Sequence, residues 1–265
     1  MLADVKNVGR RFMASGSNPP AGGRPSVVAG SFYPAEREEI LKELKLFFSR
    51  TKKVVSGKVR ALIVPHAGWI YSGQTAAWGC RQIEDSGQKH FILLGPSHHE
   101  FLTGLAGSSF ASWLTPLGAV EQKSLGQLPI NDSVHEGEHC LEVQLPFLQY
   151  LFKDFKISCL LTGSETELVL PPDSILIVSS DLSHYLPQDL AEEYDQKTIK
   201  AILSNNRKFL LENEDRACGR IGILMLMNLA RAGNWQAKLV CYDTSATASG
   251  DSNRVVGYSA IVFYE

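Results

Sequence analysis

Three short apolar runs, each ending in a turn that carries a histidine, constrain this chain more than anything else in it. They are Leu62-Ile63-Val64 before Pro65-His66-Ala67-Gly68, Phe91-Ile92-Leu93-Leu94 before Gly95-Pro96-Ser97-His98-His99, and Ile175-Leu176-Ile177-Val178 before Ser179-Ser180-Asp181-Leu182-Ser183-His184. Such runs, bounded by Gly, Pro and Ser, read as buried strands. In an open parallel sheet, ligands sit in the crevice beyond the carboxyl ends of the strands. Three polar tips after three strands can therefore meet in one pocket, suited to a metal ion or to acid–base chemistry.

The rest of the pattern supports such a sheet. Phe32-Tyr33-Pro34-Ala35 opens a helix to about residue 50, with Pro34 in its first turn and Ile40, Leu41, Leu44 and Phe48 at helical spacing. A strand over 59–64, a helix over 74–83 and a strand over 90–94 make one strand–helix–strand unit, which implies parallel pairing. Residues 101–130 read as an irregular insertion of short strands at the sheet rim. A helix is expected over 138–152, kinked at Pro146. Strands follow over 157–161 and 175–178, then helices over 187–203 and 221–229. Strands over 239–242 and 255–263 close the chain, the last one inside the sheet, with a loop over 244–253 between them. The expected architecture is α/β: one domain over 26–265, with a mostly parallel central sheet flanked by helices.

Composition narrows the function classes. A length of 265 residues with 44% hydrophobic content suffices for one substantial core. The formal net charge of -2 offers no basic field for nucleic acid or an anionic membrane. Nowhere are 18 consecutive residues apolar, so no membrane-spanning helix is expected. Five irregularly spaced cysteines read as reduced thiols of a cytoplasmic protein rather than a disulfide framework. Residues 1–25 are rich in turn formers and poor in periodic apolar residues, so a disordered tail is expected there. Lys6, Arg10, Arg11 and Arg24 against Asp4 give that tail a faint bias of a transit peptide, and a plain flexible tail is the favoured reading.

Each candidate residue has a functional and a structural reading. His66 sits at the tip of a strand-to-turn hinge. His98 and His99 point opposite ways if extended, so at most one of them faces the pocket, and His98 lies nearer the strand end; two solvated loop histidines explain the pair equally. Asp181 lies three residues before His184 and is placed to orient it and hold its tautomer; a helix N-cap explains the same polar residues without function. His135, His139 and Glu142 share a stripe if the helix starts early, and His139 with Glu142 is expected to line the pocket behind the ligands. A solvated stripe explains them equally. Cys218 precedes an apolar helix between Arg216 and Arg220, surroundings that favour thiolate, although a buried inert cysteine is the ordinary case. A Gly-x-Ser-x-Gly elbow, a P-loop, a dinucleotide fingerprint and a Cys-x-x-Cys pair are all absent from the sequence.

Pro65-His66-Ala67-Gly68, Gly95-Pro96-Ser97-His98-His99, Glu138-His139-Cys140-Leu141-Glu142, Ser179-Ser180-Asp181-Leu182-Ser183-His184 and Cys218-Gly219, taken in order, resemble the Memo family, named for mediator of cell motility. The resemblance covers about residues 26–265. It implies the fold of the class III extradiol dioxygenases, with a metal crevice at the sheet, and for bacterial and archaeal members a three-component system with a radical-SAM partner. Carried over motif by motif, it implies His66, His98 and Cys218 as metal ligands. It implies Asp181 and His184 as lining the same crevice, with His184 similar to the dioxygenases' acid–base histidine. Ile221 and Gln144 stand where the family pattern often has histidine, so no role is assigned to them.

Ring-cleaving enzymes hold Fe(II) with two histidines and a carboxylate, leaving open positions. Two histidines and a thiolate form a softer set that suits copper or a thiolate-tolerant iron. Dioxygenase activity is therefore not carried over with the fold. The expected function is metal binding, with copper- or iron-dependent redox chemistry on a small molecule or peptide. The alternatives are a scaffold that holds a peptide or partner in the crevice, and a zinc-type hydrolase in which metal-activated water reacts and His184 moves protons.

Overall fold

The computed structural model describes residues 22–265. Its strands are β1 (Gly23–Arg24), β2 (Val59–Val64), β3 (His90–Pro96), β4 (Leu105–Gly107), β5 (Ser112–Thr115), β6 (Gly118–Glu121), β7 (Lys156–Thr162), β8 (Ile175–Ser179), β9 (His184–Leu186), β10 (Gln236–Thr244) and β11 (Val255–Tyr264). Its helices are α1 (Arg37–Ser49), α2 (Trp69–Arg81), α3 (Asp132–Glu136), α4 (Leu145–Leu151), α5 (Gln188–Leu203), α6 (Arg207–Glu212), α7 (Arg220–Ala232) and α8 (Ala246–Ser249).

The main sheet runs β10-β11-β2-β8-β3-β7-β4, with β9 paired to β11. Its centre, β2-β8-β3-β7, is parallel, as the strand–helix–strand pattern implies. Its edges are antiparallel: β4 on β7, β11 on β2 and β10 on β11. The sheet is therefore mixed, and parallel only where helices cover both faces. That covering explains the unbroken apolar runs. Successive side chains alternate faces, so Ile63, Ile92, Leu94, Leu176 and Val178 meet α7 residues such as Leu224 and Met227 on one side. Leu62, Val64, Phe91, Leu93 and Ile177 meet Leu141, Leu145 and Leu148 on the other. A third apolar cluster joins Ile40, Leu44 and Phe48 of α1 to Trp69 and Phe147. A small sheet, β1-β5-β6, forms the rim insertion.

Four local expectations are corrected. The first helix starts at Arg37, not near Pro34: the Tyr33 carbonyl, the first acceptor of a helix opening at Pro34, accepts instead from Gly30 N at 2.7 Å, and Ile40 N donates to the Glu36 carbonyl at 3.0 Å. No single kinked helix spans 138–152. A short 3-10 turn over Glu142–Gln144 leads into α4, and Pro146 lies in the first turn of α4, where its missing N–H costs nothing. The loop expected over 244–253 contains α8. Residues 22–25 belong to the fold rather than to a tail: β1 pairs with β5, and Arg24 is fully buried. The rest of the expected tail, 1–21, lies outside the described residues. Within the described residues, no helix is long and apolar enough to cross a membrane.

Candidate metal centre

The parallel order explains why distant residues meet. β8 lies between β2 and β3, so the turns after these three strands are neighbours. Cys218 approaches from the opposite layer, just before α7, which packs on β3 and β8. A Cβ built on Gly219 would come within 2.6 Å of Ser180 Cβ and 2.8 Å of the Ser179 carbonyl oxygen, so only glycine lets the chain pass here. His66, His98 and Cys218 each offer a ligand atom, all within 4.8 Å of one another.

Each histidine is oriented from behind. The Ser179 hydroxyl donates to the Cys140 carbonyl at 2.6 Å and accepts from Gln144 Nε2 at 2.9 Å. Its one hydrogen is therefore committed, and its contact with His66 Nδ1 at 3.1 Å assigns the imidazole proton to Nδ1. That leaves the His66 Nε2 lone pair facing Cys218 Sγ, 3.2 Å away. His66 is buried, and that burial, followed by the nearby His98, pushes its pKa down to about 3, so it is neutral at pH 7. His98 Nδ1 bonds Glu138 Oε1 at 2.9 Å and its backbone N–H donates to Glu138 Oε2 at 2.7 Å, which leaves Nε2 for the crevice.

Glu138 is the residue that the sequence reading missed. Fully buried, it also accepts the N–H groups of His139 and Cys140 at 2.9 and 3.0 Å. Burial works against its ionisation, but the bonds and charge of His98 and the N–H of Cys140 outweigh it and hold the carboxyl well below the usual range. Glu138 groups with His98 and His139 as a second set of metal-type donors. Its oxygens are already engaged, so it orients His98 from behind, the arrangement that metal-bound histidines commonly have. Only its place in the Glu-His-Cys motif hinted at this; no spacing rule singles out a buried acid.

The remaining candidates divide. His139 stands inside the cluster, its ring centroid 4.8 Å from that of His98 and 5.4 Å from that of His66; burial lowers its pKa to about 4. His99 is exposed at the edge. Asp181 does not orient His184. Its Oδ1 accepts the His66 and Ala67 N–H groups at 2.8 and 3.3 Å, and no hydrogen bond joins it to His184 among the described residues. Burial pushes its pKa up, while those two bonds pull it down. The helix-cap reading of Asp181 and Ser183 also fails, because β9, not a helix, follows. His184 is exposed at the start of β9. Glu142 does not line the crevice: it pairs with Arg24 at 2.7 Å and accepts from Val27 N, Val28 N and the Tyr33 hydroxyl.

Cys218 also departs from expectation. Burial, reinforced by the Asp181 charge, pushes its thiol up, so it carries a proton at neutral pH when no ion is bound. The flanking arginines face elsewhere: Arg216 stacks over Tyr194 at 3.4 Å, and Arg220 pairs with Glu214 at 3.4 Å. The donor set nevertheless fits a metal ion. Two imidazole lone pairs and one sulfur converge, and a bound cation displaces the thiol proton. A separate cavity of about 1000 Å³ opens at the amino-terminal ends of β3 and β7, lined in part by Lys89, Lys123 and Lys156, away from this chemistry.

A family model described as Memo-like protein matches residues 24–262. The chain belongs to the Memo family. Curated relatives agree over nearly their whole length. A MEMO1 family protein of Archaeoglobus fulgidus is 36% identical over 89% of this chain and 97% of its own. One of Methanococcoides burtonii is 35% identical over 90% and 99%, and one of Thermotoga neapolitana 32% identical over the same shares. Membership in the Memo family carries the extradiol dioxygenase-like fold.

Proposed function

We propose that this Memo-family chain binds one transition-metal ion through His66 Nε2, His98 Nε2 and Cys218 Sγ, for redox chemistry on a small molecule or peptide in the crevice. The observation that carries this reading is the tautomer arrangement. Each imidazole has one nitrogen tied to the protein and the other left toward the same small space, which also holds the Cys218 sulfur. The soft donor set favours copper or a thiolate-tolerant iron, with zinc also compatible. A bound copper or iron would supply one-electron chemistry. The chain's own residues do the rest. Glu138 and Ser179 aim the imidazoles, Asp181 fixes the turn that carries His66, and His184, exposed beside the crevice, exchanges a proton with the bound molecule. The cysteines are free thiols, which suits a reducing, cytoplasmic setting.

Metal analysis of the purified protein tests the reading. About one copper or iron per chain is expected, lost in both His66→Ala and Cys218→Ala. A protein with no bound metal and no affinity for copper, iron or zinc overturns it.

A second reading, a docking crevice for a peptide or partner, is favoured by exposed apolar side chains close in sequence to His66 and His184: Ile70 is 74% exposed and Tyr185 is 63% exposed. If alanine at His66 and Cys218 abolished every cellular effect while partner binding persisted, that reading would be removed.

A further inference from the structure

Among the described residues, Arg24 is the one fully buried guanidinium, and it offers no ligand atom to a metal. It lies over the Trp113 ring at 4.1 Å. Its Nε donates to the His135 carbonyl at 2.7 Å, its Nη2 to the Glu138 carbonyl, and its Nη1 to Glu142 at 2.7 Å. The two carbonyls bracket the turn that contains Gly137, and that turn delivers Glu138 to His98 and His139. Glu142 in turn accepts the backbone N–H groups of Val27 and Val28 and the Tyr33 hydroxyl. One side chain thus ties the amino-terminal segment to the turn behind a histidine.

We propose that Arg24 is a positioning residue for the metal centre and acts through Glu138, so that docking of residues 23–28 sets the centre's affinity. The inference rests on the metal reading above. The planar fork of arginine spans two carbonyls and a carboxylate at once, which the point charge of lysine does not. In Arg24→Lys, the ion pair with Glu142 survives but the 135–138 turn loses its double clamp. Outer partners of metal-bound histidines are worth about 10–100-fold in affinity, and Arg24→Lys falls in or just below that range. By linkage, metal binding must tighten the amino-terminal segment by the same factor.

The test titrates full-length protein with cobalt(II), whose absorption reports thiolate coordination, in wild type, Arg24→Lys, Glu138→Gln and the double variant. We expect weaker binding in each single variant, with a double-variant loss smaller than the product of the two. In wild type, hydrogen exchange at Val27 and Val28 should slow when cobalt is added. This second measurement decides the matter if Arg24→Lys does not fold. Folded Arg24→Lys with unchanged affinity, fully multiplicative losses, or exchange that slows only in the turns carrying His66, His98 and Cys218 each overturn the proposal while leaving the metal reading standing. Wild type that binds none of cobalt, copper, iron or zinc overturns both.

Discussion

A histidine is a useful ligand only if the correct nitrogen carries the lone pair, and in this site that choice is made by two groups that touch no ligand atom. Ser179 sets His66 and Glu138 sets His98. Glu138→Gln keeps the shape but loses the charge and acceptor capacity of the carboxylate, so metal affinity should fall by about 10–100-fold in a competition titration. Unchanged affinity would remove Glu138 from the account. Acidity bears on stability as well. The pKa of His66 is lowered to about 3, and those of His135 and His139 to about 4. As pH falls below about 6.5, the unfolded chain protonates at these positions while the folded one does not. Stability is therefore lost from about pH 6.5 down to 4, at up to about 1.4 kcal/mol per pH unit for each histidine. Asp181, raised in the fold, offsets part of this; Glu138, lowered, adds to the loss below about pH 4.5. Urea unfolding of metal-free protein at stepped pH reads the slope, and stability that held flat from pH 7 to 5 would contradict it. At this scale the histidines were legible, because each follows an apolar run. The protonation of Cys218 was not, because sequence gives the presence of Arg216 and Arg220 but not where they point.

The elements were legible where burial is symmetric. β2, β3 and β8 are apolar on both faces, so their sequences announce them. The segment 138–152 misled because leucine spacing suits a helix, while the polar backbone ahead of α4 is taken up by Glu138 and by the 3-10 turn. The antiparallel edges were hidden for another reason: strand direction is set by the partner, and no local pattern names the partner. Two tests belong to this scale. A Cβ at position 219 meets Ser180 at 2.6 Å, so Gly219→Ala should displace Cys218 and weaken metal binding more than it lowers the midpoint of thermal unfolding. A loss confined to stability would argue against that close approach. Leu226→Ala removes a fully buried side chain from the α7 layer and should cost about 2–5 kcal/mol in denaturant unfolding. A cost near zero would contradict the packing of α7 on the sheet.

In the molecule as a whole, the site is a product of strand order. β8 is inserted between β2 and β3, which brings turns separated by more than a hundred residues to one end of the sheet, and α7 delivers a thiol to the same place. The sequence carries the members of that set; the order of strands decides that they share a centre. The most direct measurement is X-ray absorption on the zinc-loaded full-length protein. One sulfur at about 2.3 Å and two imidazole nitrogens at about 2.0 Å are expected, with the sulfur lost in Cys218→Ser. A metal shell without sulfur, or one unchanged by Cys218→Ser, would contradict this.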